Sequence, residues 1–423
     1  PVPDLRLIVV DEEHESSYKQ ESSPRYNARD VAVVRATLLG IPVVLGSATP
    51  SLESIHNARS GKYRLVELPR RATAHDLPSV TIVPLDGRFY ASDGAGLVSD
   101  QLDAQIRRTL RQKEQTLIFL NRRGFATYLH CTRCGFVLKC HQCDVTMTFH
   151  RRDEVARCHY CGYVAAVPDH CPDCQMPGPR KSGVGTEKVV SCLERRYPDA
   201  RIARLDRDTI TTHEALKETL ARFARGDFDI LVGTQMIAKG HDFPGVSLVG
   251  ILLADVGLHM PDFRAAERTF QLVTQVAGRA GRGDRPGRVI VQTFSPEHFA
   301  IRSAAEGNYR AFADKELKVR GAFGYPPFGR LVKILISGTE QDRVNEEAAR
   351  IKQALVESAP EGVKILGPAA SPIARIQSRF RIQILLKAAL AGRIRETLTN
   401  AERALTSRRG VDVAIDVDPQ SLL

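Results

Sequence analysis

The chain predicts an α/β protein of two parallel-sheet lobes, an inserted cysteine-rich module and a terminal α+β domain. Three observations carry that expectation. Short apolar, β-branched runs recur, and each empties into a polar or small-residue turn, as strands buried on both faces of a parallel sheet do. Eight of the nine cysteines form four Cys-x-x-Cys pairs between Cys131 and Cys174, and these interrupt the alternation. From about Tyr309 the pattern becomes strand, helix, strand, strand, helix, strand, a layered β-α-β-β-α-β arrangement.

The first run, Leu5 to Val10, ends in Asp11, Glu12, Glu13 and His14. Ligands of open α/β sheets bind beyond the carboxyl ends of strands. Asp11 is therefore expected to hold a nucleotide's Mg2+ through its water shell, and Glu12 to orient or deprotonate the attacking water. Ile41 to Leu45 leads into Gly46-Ser47-Ala48-Thr49-Pro50, a turn of small residues suited to a hinge that senses phosphate, with Gly46 and Thr49 expected on the nucleotide side. Thr116 to Leu120 leads into Asn121-Arg122-Arg123-Gly124, where paired guanidiniums can clamp a phosphodiester backbone.

Each Cys-x-x-Cys turn aims two sulfurs at one side, so four turns imply two closed four-thiolate sites, expected to hold two Zn2+ ions. The ligands are Cys131, Cys134, Cys140, Cys143, Cys158, Cys161, Cys171 and Cys174. Disulfides fit poorly, because the thiols are clustered and no apolar signal stretch is present. Spacing alone leaves neighbouring, cross-braced and nested pairings open. His141, His150, His159 and His170 are expected to be surface residues, and Cys192 a small buried apolar one.

Beyond the module, Ile202 to Leu205, Ile230 to Val232 and Ser247 to Leu253 are expected strands that wind a second lobe. The turn after the second of them runs through Thr234, Gln235, Lys239 and Gly240. A helix from about Phe263 closes on Gln275-Val276-Ala277-Gly278-Arg279-Ala280-Gly281-Arg282. Arg279 and Arg282 are three apart and so are expected on one helical face, with Gln275 one turn before Arg279 on the same side, as an anion clamp, and an arginine finger of that kind contributes roughly 10³ to 10⁵ in rate.

At 423 residues and 43% hydrophobic, the chain can bury two or three cores. Its net charge of +11 favours a polyanionic partner. No stretch approaches the roughly 20 apolar residues of a membrane span, so no membrane partner is expected.

Five segments in order, DEEH, GSATP, NRRGFA, GTQMIAKGHDFPGV and QVAGRAGR, resemble motifs II to VI of the superfamily 2 DExH helicases. With four Cys-x-x-Cys pairs set between them, the likeness narrows to the bacterial primosomal helicases of replication restart. It extends over essentially all of the chain. The resemblance implies two RecA-like helicase lobes, the first incomplete, and an ATP-driven 3′-to-5′ DNA helicase that acts at abandoned forks. It implies contacts to single-strand-binding protein and other primosome proteins, a bacterial cytoplasmic location, and nested zinc pairing with Cys131, Cys134, Cys171 and Cys174 outside. By position, Asp11 and Glu12 serve Mg2+ and water, and Gln275, Arg279 and Arg282 serve the ATP triphosphate, with Gly46, Thr49 and Gly240 beside it. Thr234, Gln235 and Lys239 sit between DNA and nucleotide. The segment from Tyr18 to Asp30 resembles the family's aromatic-rich loop, so Tyr18 and Tyr26 are expected to stack on bases while Lys19, Arg25 and Arg29 meet phosphates, alongside Arg122 and Arg123.

No G-x-x-x-x-G-K-[ST] loop occurs, and the chain starts at Pro1 just ahead of its first strand. It is therefore expected to be a fragment that begins within the first lobe, to hydrolyse ATP feebly or not at all by itself, and to be monomeric. A non-hydrolysing, zinc-stabilised scaffold that binds DNA or partners is the alternative. Expected boundaries are 1–130 for the rest of lobe one and the run into lobe two, 131–182 for the zinc module, 183–308 for lobe two and 309–423 for the terminal domain.

Overall fold

The computed structural model describes residues 2–68, 78–86, 95–121, 129–131, 134, 136–141, 146–150, 154–158, 161–176, 180–181, 185–206, 209–210, 212–237, 243–281, 286–408 and 410–422. Arg122, Arg123, Cys143, Lys239, Gly240 and Arg282 lie outside these residues.

The first unit is a single β-α-β crossover. Strands β1 (Ile8–Val10) and β2 (Val43–Leu45) pair in parallel, with Val10 opposite Leu45. Helix α1 (Ala28–Leu39) lies between them in sequence, capped by the Asn27 side chain and stopped by Gly40 at φ +63. Helix α2 (Leu52–Arg59) follows, with Ser51 as its N-cap. Val9, Val34, Leu38 and Val44 remain exposed on this unit.

Strand β3 (Ser79–Pro84), helix α3 (Asp100–Arg111) and β4 (Gln115–Leu120) open a second, six-stranded sheet. The module then contributes β5 (Leu129–His130), a three-stranded antiparallel piece of β6 (Thr148–His150), β7 (Val155–Arg157) and β8 (Val164–Ala166), and β9 (Arg180–Lys181), which pairs back onto β5. The second lobe resumes through α4 (Thr186–Arg196), β10 (Ile202–Leu205), α5 (His213–Ala224), β11 (Ile230–Gly233), β12 (Val246–Leu252), α6 (Ala265–Ala277), β13 (Arg288–Thr293) and α7 (Phe299–Ala305). Its strand order is β10-β11-β4-β12-β13-β3, parallel throughout.

That order changes one expectation. Strand β4 is a central strand, buried along its whole length and paired with both β11 and β12. Strands β3 and β4 thus belong to the second sheet, and the cysteine module is an insertion within lobe two instead of a divider before it. Alternation along β4 distributes its side chains: Leu117 and Phe119 join the core that contains Phe223, Phe243 and Phe270, while Ile118 and Leu120 join Leu102, Ile106, Val189 and Leu193 on the other face.

Helix α8 (Tyr309–Phe323) leads to the terminal domain of β14 (Arg330–Gly338), α9 (Gln341–Ser358), β15 (Lys364–Ile376), β16 (Arg379–Ala388), α10 (Ala391–Asn400) and β17 (Val411–Val417). Its antiparallel sheet has the order β15-β16-β14-β17. Val332, Ile334 and Ile336 of β14 pack with Ile351 and Leu355 of α9, which covers one face of that sheet with helix. A further core joins Cys140, Met147, Ala156 and Cys158 of the module to Phe263, Tyr325, Leu331, Leu385 and Leu422. Among the described residues no helix is long and apolar enough to cross a membrane.

Candidate functional site

The acid turn leaves β1 with a left-handed residue. Glu12 has φ +47, a conformation that costs a non-glycine side chain energy and is held here by its neighbours. The Glu13 amide donates to the Gly46 carbonyl at 3.0 Å, and the Gly46 amide donates to the Val10 carbonyl at 2.8 Å, so the turns after β1 and β2 are stitched together. Asp11 Oδ1 accepts the Glu12 amide at 2.9 Å, and a Cβ on Gly46 would lie 3.6 Å from that same oxygen. Glu12 points outward with 47% of its side chain exposed, available to a ligand.

The next carboxylate behaves differently. Glu13 is 2% exposed. It accepts the Ser51 amide at 2.5 Å, the Ser51 hydroxyl at 3.0 Å, the Ser54 hydroxyl at 2.9 Å and Arg29 Nη1 at 3.1 Å. A buried carboxylate with this many donors is a structural anchor. It ties the acid turn to the start of α2 and to α1. Two adjacent glutamates in one turn thus have opposite environments, a difference that no local pattern of residues marks.

A hydrogen-bonded path continues toward the second lobe. His14 Nδ1 lies 2.7 Å from the Ser47 hydroxyl, which accepts the Thr49 amide at 3.0 Å. Gln271 of α6 donates to the Thr49 carbonyl at 3.5 Å. The GSATP turn therefore bridges the acid turn and the helix that carries Gln275, one turn beyond Gln271.

The clamp expected at the end of this helix is built differently. Helix α6 ends at Ala277 with Gly278 as its C-cap, and Arg279 and Ala280 continue as turns. Gly281, at φ +69, donates to the Val246 carbonyl at 3.1 Å and anchors this end of the segment to β12. Arg279 is buried two residues past the helix end, so it does not continue the α6 face that carries Gln275, and Arg282 lies outside the described residues.

A second joint, made of buried charge, was not foreseen. Arg264 Nη2 meets Glu53 at 2.8 Å and its Nη1 meets Glu267 at 3.2 Å, while Arg320 contacts Glu267 at 2.8 Å and Glu316 at 3.0 Å. Glu267 also accepts the Leu52 amide at 2.9 Å. Burial works to raise the Glu53 carboxyl, but Arg264 and Arg320 hold it down at about 2. This cluster fastens α2 to α6 and α8.

In the loop after the acid turn, Tyr18 donates its hydroxyl to the Asp11 carbonyl at 2.7 Å. Tyr26 is 45% exposed, an open ring of the kind on which bases stack. Lys19 pairs with Asp416 at 2.9 Å and donates to the Val417 carbonyl at 2.7 Å, and Arg25 reaches the Ile415 carbonyl at 3.5 Å. Both cations therefore face the terminal domain. In lobe two, Thr234 follows β11 and its amide donates to the Leu205 carbonyl at 3.4 Å, and Gln235 begins the short helical turn after it.

The cysteines assemble as the resemblance implied. Cys131, Cys134, Cys171 and Cys174 form one cluster, and Cys140, Cys158 and Cys161 form another. Sulfur separations are 3.6 Å for Cys131 and Cys174, 3.5 Å for Cys134 and Cys171, and 3.6 Å for Cys140 and Cys161. Thiolates that share one tetrahedral Zn2+, each about 2.3 Å from the metal, stand at nearly this spacing. Burial and the neighbouring thiols push the Cys134 thiol up to about 12, a cost that a shared dication removes. Among the described residues neither cluster includes a histidine.

Comparison with known proteins agrees with this assembly. Residues 181–284 match a model of the helicase conserved C-terminal domain, which makes the second lobe a helicase lobe. Residues 140–165 match the PriA DNA helicase Cys-rich region, and 321–420 match the primosomal protein N C-terminal domain. These matches define a chain with a helicase C-terminal lobe and an inserted cysteine-rich module of the PriA DNA helicase kind. Over its whole length the chain is similar to the replication restart protein PriA. It is 42% identical to the PriA of Bacillus subtilis over 428 residues, which is 100% of this chain and 53% of that protein. Identity is 40% to the Treponema pallidum protein and 37% to that of Rickettsia conorii, over 63% and 64% of their lengths. The chain spans about half the length of the first of these relatives.

Proposed function

We propose that this chain supplies the hydrolytic and strand-gripping part of an ATP-dependent 3′-to-5′ DNA helicase that restarts stalled forks. The observation that carries the reading is the path from the acid turn through His14, Ser47 and Thr49 to Gln271 of α6, which joins the acids of one lobe to the helix of the other. In this reading Asp11 holds Mg2+ through water, and Glu12 orients the attacking water and accepts its proton. Mg2+, when bound, supplies charge neutralisation at the phosphates. Gln275, Arg279 and Arg282 face the triphosphate from the other lobe, with Gly46, Thr49 and Gly240 beside it. Tyr18, Lys19, Arg25, Tyr26, Arg122, Arg123, Thr234, Gln235 and Lys239 serve the DNA strand. Single-strand-binding protein and other primosome proteins are the proposed partners, in the bacterial cytoplasm, with the chain monomeric.

The absence of a G-x-x-x-x-G-K-[ST] sequence favours a second reading for the chain by itself, a zinc-stabilised scaffold that grips DNA without turnover. DNA-stimulated ATP hydrolysis separates the two. The helicase reading predicts little turnover by this chain and robust turnover by a form that also carries such a loop. Equal inactivity of both forms, with DNA binding retained, selects the scaffold.

A further inference from the structure

The turn between β2 and α2 is held from both sides. On the side of the first lobe, His14 meets the Ser47 hydroxyl at 2.7 Å and Glu13 accepts the Ser51 amide at 2.5 Å. On the side of the second, Gln271 donates to the Thr49 carbonyl at 3.5 Å and Glu267 accepts the Leu52 amide at 2.9 Å. A further contact comes from the head of α8, where the Tyr309 hydroxyl donates to the Pro50 carbonyl at 2.7 Å. Tyr309 lies between the matched segments 181–284 and 321–420. The Pro50 carbonyl needs a donor from elsewhere, because it stands ahead of the Ser51 cap and the α2 ladder begins with the Ile55 amide donating to the Ser51 carbonyl at 3.0 Å. The phenol is itself held in place. Its ring meets Phe270 of α6 edge-on, with centroids 5.8 Å apart, and lies 6.4 Å from Phe312. Burial, then the Glu267 and Glu13 carboxylates, push its titration well above the usual phenol range, so the hydroxyl keeps its proton and remains a donor. Farther along α8, Arg320 contacts the same Glu267 at 2.8 Å and Asp314 pairs with Arg59 at the end of α2 at 2.7 Å. These contacts keep the two helices docked when the hydroxyl alone is removed.

We propose that Tyr309 is a positioning residue for ATP hydrolysis: its hydroxyl fixes the Pro50 carbonyl and so keeps Ser47 and Thr49 in register between the acid turn and α6. The proposal rests on the helicase reading above. Tyr309 acts through the turn. A released Pro50 carbonyl lets the turn shift, which loosens the contact of Ser47 with His14 and that of Thr49 with Gln271. Loss of the hydroxyl thus leaves the groups that bind ATP in place and blurs their alignment, which lowers kcat more than it raises KM.

The test is Tyr309→Phe, which keeps the ring and removes the hydroxyl. In a form that also carries a phosphate-binding loop, it is expected to lower kcat of DNA-stimulated ATP hydrolysis about tenfold, while KM for ATP changes by less than about twofold. In the chain itself, without nucleotide, hydrogen-exchange mass spectrometry is expected to show faster exchange across residues 46–52, with α8 and β4 unchanged. The melting temperature is expected to stay within about 3 °C. An unchanged kcat overturns the proposal. So does exchange that rises along α8 instead of in the turn, with kcat following the melting temperature, because the hydroxyl then serves folding alone. Hydrolysis that survives Glu12→Gln rejects the helicase reading and takes this proposal with it, whereas activity lost in Glu12→Gln and retained in Tyr309→Phe overturns the positioning role alone.

Discussion

His14 Nδ1 and the Ser47 hydroxyl lie 2.7 Å apart, joining the turns that end β1 and β2 by one hydrogen bond between side chains. That bond makes the small-residue turn a mechanical link, because Ser47 also accepts the Thr49 amide and Thr49 is in turn reached from the second lobe. Replacing Ser47 with Ala removes both contacts, each of which contributes about 1 kcal/mol. Amide exchange across residues 46–50 is expected to accelerate, measured by hydrogen-exchange mass spectrometry, with the central strand β4 unaffected. Unchanged exchange in this turn would show that the link carries no strain.

The two neighbouring glutamates are predicted to separate stability from chemistry. Glu13→Ala strips a buried acceptor from Arg29, Ser51 and Ser54 and is expected to cost about 3–5 kcal/mol in urea unfolding. Glu12→Ala, at an exposed side chain, is expected to stay within about 0.5 kcal/mol. Equal costs would remove the distinction between anchor and reactive group.

Each chain is predicted to release two zinc ions on thiol modification, measured by a colorimetric chelator. Stripping the metal is expected to raise exchange throughout residues 131–176. Because Cys140 and Cys158 share a core with Phe263, Tyr325 and Leu422, protection near Tyr325 is also expected to fall. Release of a single ion would contradict the two-site assignment.

Stability is predicted to fall with acidity in a window set by His298. Burial, then Lys139 and His259, lower this imidazole to about 4, with Asp255 opposing them. The unfolded side chain titrates near 6.5, so the neutral folded form contributes its full share above that pH and loses it as the pH falls toward 4. The share is between about 1 and 3 kcal/mol. His298→Asn can keep the N-cap contact to the Ala300 amide while removing the titration. Its unfolding free energy should therefore depend less on pH between these limits. An unchanged pH profile would assign the effect to other groups.

Strands β3 and β13 were not among those expected, whereas strands such as β4 and β12 were legible because each is a short apolar run with a polar exit, and the metal clusters because their ligands come in Cys-x-x-Cys pairs. The partition of β4 into lobe two was not, since the pairing of Leu117 with Leu231 and with Val249 joins residues more than a hundred positions apart. Nor was the cluster of Glu53, Arg264, Glu267 and Arg320: in sequence each is an ordinary charged residue in or beside a helix, and only the packing of three helices joins them and buries Arg264, Glu267 and Arg320. Nor was the end of α6 at Ala277, because the Gly278 cap keeps a right-handed φ of −64 that any residue adopts and leaves no local mark in the sequence. The cationic loop looked open to DNA because nothing local shows that Asp416, nearly four hundred residues away, is its partner.

The central claim is that Asp11 and Glu12 form the hydrolytic edge of a cleft closed by the second lobe. Single-turnover ATP hydrolysis in the presence of single-stranded DNA tests it most directly, using a form that carries both these residues and a phosphate-binding loop, with and without Glu12→Gln. A loss of at least about a hundredfold in rate, with ATP affinity unchanged, is the predicted result, in keeping with removal of a positioned general base. A Glu12→Gln protein that hydrolyses ATP at the unmodified rate would contradict it.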